Sequence, residues 1–305
     1  MVRPRQRHAS LLMAETLERR VRAEVMRAGV PREVVEKDYA IGYVLAGMYG
    51  LPALGRRLVF KGGTALRKAH FPDYRFSEDL DFTALPSSDD LEPLIKEAAA
   101  RAEKALQEQG DFGGSVTRYP TRKPHPDGQR AFRVHVQFPW QRRASCSLKV
   151  EIAMDEPVLA DVVQRPLLHG YGETLDCTMG CYALEEVVAE KLRALLQTRA
   201  RLAERGWARP RARDYFDLWQ LLCERPETVD VDGAARIVPA KCEVRRVSFE
   251  GPDDFFDESV VQRARLDWRE GLRRMVADPP EFDVCLLDLR PPVSALVRRA
   301  LSPAG

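Results

Sequence analysis

The tightest constraint on this chain lies between residues 58 and 82. Leu58-Val59-Phe60 is a short apolar run entering Lys61-Gly62-Gly63, and a short helix is expected from Thr64 to His70. Phe76 to Phe82 then alternates, with Phe76, Leu80 and Phe82 apolar and Asp79 and Asp81 on the other face of the strand. Few folds satisfy that order of buried strand, tight turn, helix start and second strand with two carboxylates on one side. Adjacent glycines let the backbone approach a ligand, and N–H groups opening a helix favour a phosphate there. Carboxylates at i and i+2 are placed to hold a hard cation such as Mg2+ between protein and phosphates. The combination points to metal-assisted phosphoryl or nucleotidyl transfer, in which one ion activates the attacking hydroxyl and another holds the triphosphate.

The rest of the chain supplies the frame. Leu17, Val21, Val25 and Met26 recur at helical spacing up to Gly29, and Val34, Val35, Tyr39, Ile41, Val44, Leu45 and Met48 mark a second helix that ends at Gly50-Leu51-Pro52. Leu91 to Gln109 reads as a helix ended by Gly110, while Phe132 to Phe138 and Ser147 to Ile152 alternate as half-buried strands. From Leu184 the pattern is helical again. The tail from Asp230 reads as a broken, Pro-containing region followed by a helix around Val260 to Val276. At 305 residues the chain is long enough for two domains. The expected division is 1–170, with N-terminal helices and a small mixed sheet, and 171–305, mainly helical: an α+β protein.

Composition narrows the setting. Apolar residues make up 45% and charged residues 31%, a globular balance, and no run approaches the roughly 20 apolar residues of a membrane span. The six cysteines lack the spacing of a disulfide scaffold or a paired zinc site, which fits a reducing cytoplasm, and the close pair Cys177 and Cys181 reads as buried apolar residues. The net charge of +2 says little, but Arg199, Arg201, Arg205, Arg209, Arg211 and Arg213 crowd one segment. A phosphate backbone would use that density, and so would a solvated basic loop. His125 and His135 have no nucleophile signature beside them and read as structural.

Further charged residues sit where chemistry would need them. Lys191 has Val187, Val188, Leu192 and Leu195 three or four residues away or adjacent, so its ammonium lies at the apolar face and requires an anion. Asp214 and Asp217, three apart on the next helix, are both candidates to pair with it. Glu151 shares a strand face with Lys149, as a third carboxylate, a general base or one half of an ion pair. Arg75 and Ser77 flank the two aspartates, and an Arg there is placed to hold phosphate oxygens bidentately; Lys61 and Arg67 are further phosphate candidates.

Lys61-Gly62-Gly63-Thr64-Ala65-Leu66 with Arg75-Phe76-Ser77-Glu78-Asp79-Leu80-Asp81-Phe82 resembles the AbiEii/AbiGii abortive-infection toxins, which include the MenT-like nucleotidyltransferases. Glu36 to Ile41, Lys149 to Ile152, Ala189 to Leu195 and Arg213 to Leu218 extend the resemblance over about residues 36 to 220. It implies a polymerase-β-like nucleotidyltransferase sheet, with the helical C-terminal part forming the other wall of a cleft. The implied active-site residues are Asp79, Asp81, Glu151, Lys191 and Asp214, with Asp79 and Asp81 as ligands to Mg2+. An NTP would lie against Lys61, Gly62, Gly63, Thr64, Arg67, Arg75 and Ser77. The implied acceptor is the 3′ end of tRNA and the implied partner a cognate antitoxin; for such an acceptor the arginine density of the Arg199–Arg213 segment makes it the expected grip on the RNA backbone. The residues alone leave open a protein or small-molecule acceptor, or a non-catalytic NTP- or RNA-binding module.

Overall fold

The computed structural model describes residues 4–86, 90–118 and 129–302, so His125 lies outside the described residues. Seven strands, β1 (Leu58–Lys61), β2 (Asp79–Ala84), β3 (Gly113–Arg118), β4 (Arg130–Gln137), β5 (Cys146–Ala153), β6 (Val163–Pro166) and β7 (Thr178–Cys181), form one mixed sheet. Their order is β3-β4-β5-β2-β1-β7-β6. The two strands expected to carry the chemistry are therefore central. β1 pairs antiparallel with β2, and β2 pairs parallel with β5. The register puts the apolar side chains of these three strands on one face of the sheet, toward the core. Phe60, Leu80, Phe82, Val150 and Ile152 are all fully buried.

Helix α1 (Pro4–Ala28) packs on α2 (Arg32–Tyr49) through Leu17 and Val21, and α2 is buried on nearly every side. Met26, expected on the apolar stripe of α1, is instead exposed. A short helix α3 (Pro52–Gly55) leads into β1, and α4 (Gly62–Ala65) follows it and continues as one wide turn, Leu66–His70. Helix α5 (Leu91–Gln107) starts at the N-cap Asp90, whose carboxylate accepts from the Glu92 N–H at 3.1 Å, and packs on α2. The strand ending at Cys181 pairs with β1 through Phe60, so this first unit runs on to residue 181 rather than ending at 170.

The second unit comprises residues 182–305 with the short segment 158–161. It is helical: α6 (Leu184–Arg205), α7 (Ala212–Trp219), α8 (Val231–Val244), α9 (Glu258–Arg273) and α10 (Phe282–Leu301). Segment 158–161 belongs here because Glu186 in the first turn of α6 accepts from the backbone N–H groups of Leu159 and Ala160, at 2.9 and 3.0 Å. The same carboxylate meets the fully buried Lys241 of α8 at 2.7 Å. A buried charge is tolerated only when paired and hydrogen-bonded, and Glu186 meets both requirements. The tail is more helical than its prolines foretell, since Pro239 lies within α8 and Pro291 and Pro292 within α10.

Candidate active site

In the first unit the sheet register assembles the charged residues on one side. Lys61 on β1 stands opposite Asp81 on β2, and Asp79 and Asp81 stand opposite Lys149 and Glu151 on β5. Directly paired residues project to the same face, so these five side chains line it together. The Gly-Gly turn closes one end of this face. A Cβ on Gly62, whose φ is +79°, would lie 2.7 Å from Asp81 Oδ2, and one on Gly63 would lie 2.5 Å from an Arg75 guanidinium nitrogen. Both contacts exist only because neither residue has a side chain. Thr64 Oγ1 donates to the Asp79 carbonyl and ties the start of α4 to β2. Arg75 is 7% exposed and donates to the Phe76 carbonyl at 3.0 Å, and Ser77 is also buried. Lys37 of α2 meets Glu78 at 2.6 Å, which fastens the segment leading into β2.

Glu151 stands in the expected place of a third carboxylate, yet both its oxygens are engaged. Lys149 Nζ lies 2.8 Å from one and Gln129 Nε2 donates to the other at 2.6 Å. Among the described residues no group of three or more His, Cys, Asp or Glu side chains is assembled to hold a metal ion. The other carboxylates on this face are Asp79 and Asp81, a donor set that fits Mg2+, which is commonly held by one or two carboxylates together with substrate phosphates and water.

Arg67 has a different place from the one expected at the phosphates. Its Nε donates to Asp38 Oδ1 at 2.8 Å, its guanidinium lies 3.6 Å over the Phe76 ring, and it also donates to the Tyr74 carbonyl. Lys68 meets the other oxygen of Asp38 at 2.8 Å, and the Tyr171 hydroxyl donates to that same oxygen at 2.9 Å. Burial alone would raise the Asp38 carboxyl, but the Lys68 ammonium and the Arg67 guanidinium outweigh it and hold the pKa at about 2. The Lys68 pKa is lowered too, here against its charged form, because burial, with the neighbouring Arg67 cation, exceeds the help from Asp38. The carboxylate has two cations against it, whereas the ammonium, helped by Asp38 and Glu24, also faces the Arg67 cation. Asp38 sits in a motif that resemblance singled out, but nothing in its local sequence signals that it anchors Arg67 and Lys68.

In the second unit Lys191 does sit at the apolar face of α6, and its anion is supplied by protein. Its Nζ lies 2.5 Å from Asp217, which is fully buried, and 3.2 Å from Asp214. Burial would raise the Asp214 carboxyl, but Lys191 and Arg211 outweigh it and keep the pKa below the ordinary value. Arg211 bridges Asp214 at 3.2 Å and Thr198 at 2.7 Å. Of the arginine cluster, Arg199 and Arg211 are thus turned into ion pairs, Arg199 with Asp254, while Arg201, Arg205, Arg209 and Arg213 are exposed. The six cysteines are all free, and burial pushes the Cys177 and Cys181 thiols up to about 11 and about 12, which suits inert apolar residues. Among the described residues no helix is long and apolar enough to cross a membrane.

A central strand pair bearing Asp-x-Asp beside a glycine turn, in a mixed sheet flanked by helices, is the architecture of a nucleotidyltransferase. The family model of the nucleotidyl transferase AbiEii toxins, from type IV toxin–antitoxin systems, matches residues 43–297, and the chain belongs to that family. Membership brings an NTP substrate and an antitoxin partner with it. A comparison with curated proteins found no match.

Proposed function

We propose that this toxin transfers a nucleoside monophosphate from an NTP to the 3′ end of tRNA, and so blocks aminoacylation and translation. The observation that supports it best is the approach of Gly62 to Asp81 and of Gly63 to Arg75, with Lys61 in register opposite Asp81. That turn brings a carboxylate and a guanidinium against the backbone that a triphosphate would approach. Asp79 and Asp81 would hold Mg2+, which when bound neutralises phosphate oxygens and favours the attacking hydroxyl. Arg75 and Lys61 would orient the triphosphate, and Thr64 keeps the turn fixed against β2. Glu151 serves as base only if it parts from Lys149 and Gln129. Arg67 is left out of the phosphate set because Asp38 engages it. Lys191 and Asp214 enter this reading through family resemblance, and their mutual ion pair equally supports a structural role. The choice of tRNA rests on that resemblance and on the exposed arginines from the end of α6 to the start of α7.

The test incubates the purified protein with total tRNA, Mg2+ and each α-labelled NTP in turn, with Asp81→Asn and a chelator-treated sample alongside. Label on tRNA with the untreated wild type alone supports the proposal and identifies the nucleotide. Label on a protein or small molecule, or transfer that survives both Asp81→Asn and chelation, overturns it.

A further inference from the structure

The loop joining α6 to α7 carries an aromatic ring that folding does not use. Trp207 is 65% exposed. The other indole N–H groups find acceptors, Trp140 on Glu36 at 2.8 Å, Trp219 on Asp288 at 3.2 Å and Trp268 on the Pro280 carbonyl at 2.8 Å. The backbone that presents Trp207 is fixed on both sides. Gly206 caps α6 with a left-handed φ of +67°, its N–H bonds to the Leu202 carbonyl at 2.9 Å, and its own carbonyl accepts from Arg263 at 3.0 Å. On the far side Ala208 is buried. The ring is therefore displayed on an anchored turn.

Its neighbours are basic. Arg201, Arg205, Arg209 and Arg213 are exposed, and Glu204, paired with Arg205, is the one acid in residues 199–213. A loop that needed only solvation would be served by the arginines, whereas a large apolar ring left in water forgoes the burial that normally rewards it. Arginine and an exposed ring together are what single-stranded nucleic acid requires. The guanidinium groups meet phosphates, and the indole offers a face to any unpaired base. Bases already stacked inside a duplex have no free face to give it.

We propose that Trp207 is a stacking platform for an unpaired nucleotide, with the flanking arginines holding the phosphates on either side. The chemical class of ligand is single-stranded RNA, and the inference rests on the reading above that the acceptor is an RNA.

The experiment uses the full chain and its Trp207→Leu and Trp207→Phe variants with a short unstructured RNA, a blunt RNA duplex and total tRNA. Binding is followed by anisotropy and by tryptophan emission, in which the exposed Trp207 contributes the red edge. The single-stranded RNA is expected to quench that edge in wild type and the duplex to leave it unchanged. Trp207→Leu should weaken single-strand binding about 5- to 150-fold, the range that stacking of one base covers, and Trp207→Phe should stay within a few-fold of wild type. Equal RNA affinity in wild type and Trp207→Leu overturns the proposal while leaving an RNA acceptor intact. Absence of RNA binding by wild type, together with no transfer of label to RNA, removes the acceptor reading and this inference with it. If purified antitoxin quenches the emission and RNA does not, the ring belongs to a protein interface and the proposal fails.

Discussion

Replacing Gly62 with alanine probes the proposed site through a single carbon atom. The new Cβ would lie 2.7 Å from Asp81 Oδ2 and also within 3.4 Å of that residue's Cβ and Cγ, so the whole carboxylate obstructs it. Ordinary contact is about 3.5 Å, which forces a retreat of about 0.8 Å. At φ +79° the alanine also pays for a left-handed backbone, a cost of about 1–2 kcal/mol. A displacement near 1 Å in a reacting geometry lowers rate on the order of 100-fold. Gly62→Ala is thus expected to lose about two orders of magnitude in label transfer, and to melt a few degrees lower than wild type. Gly63→Ala is the control. Its Cβ meets the far end of the Arg75 side chain at 2.5 Å and its φ is not left-handed, so NTP KM should rise while the melting temperature holds. Both variants are assayed by incorporation of labelled nucleotide and by thermal unfolding. Wild-type transfer and wild-type melting in Gly62→Ala would refute the reasoning, because the turn would then not bear on Asp81.

The two acids beside Lys191 should separate in stability. Asp217 is fully buried at 2.5 Å, so Asp217→Asn leaves a buried ammonium short of its main partner and should cost about 3–5 kcal/mol in urea unfolding. Asp214 is partly exposed and shared with Arg211, so Asp214→Asn should cost less than half of that; the reverse order would contradict the geometry. Acid unfolding reports on Asp38. Its folded pKa of about 2 lies below the ordinary 3.8, so the unfolded chain takes up the proton first as pH falls. The stabilisation is complete above about pH 4 and is lost between about pH 4 and pH 2. Circular dichroism across that window should show Asp38→Asn less stable at neutral pH and flatter in its acid transition.

The parts of the fold legible in the sequence are those with local causes. β1, the glycine turn and the alternation of β2 rest on period two and on glycine, and β4 and β5 came within two residues of their observed ends for the same reason. β3 begins with two glycines, β6 ends in Pro166 and β7 spans four residues, so none carries a signal of its own, and each is a strand because a neighbour pairs with it. The prolines in α8 and α10 argue locally against helix. Burial of Val238, Leu289, Val293 and Leu296 outweighs the hydrogen bonds those prolines remove.

The candidate site divides along the same line. By itself the sequence determined that two carboxylates share a strand face after a Gly-Gly turn, because strand alternation and glycine geometry act over a few residues. It placed Lys191 on an apolar face, because helical spacing is equally local. Only the tertiary structure decided which partner each charge meets. Asp38, distant in the chain, takes Arg67 from the phosphate set, Asp217 rather than Asp214 lies closer to Lys191, and Lys149 and Gln129 engage Glu151. Spacing along a chain fixes the direction a side chain takes. The partner it meets depends on segments many residues away, brought near by burial of an apolar core.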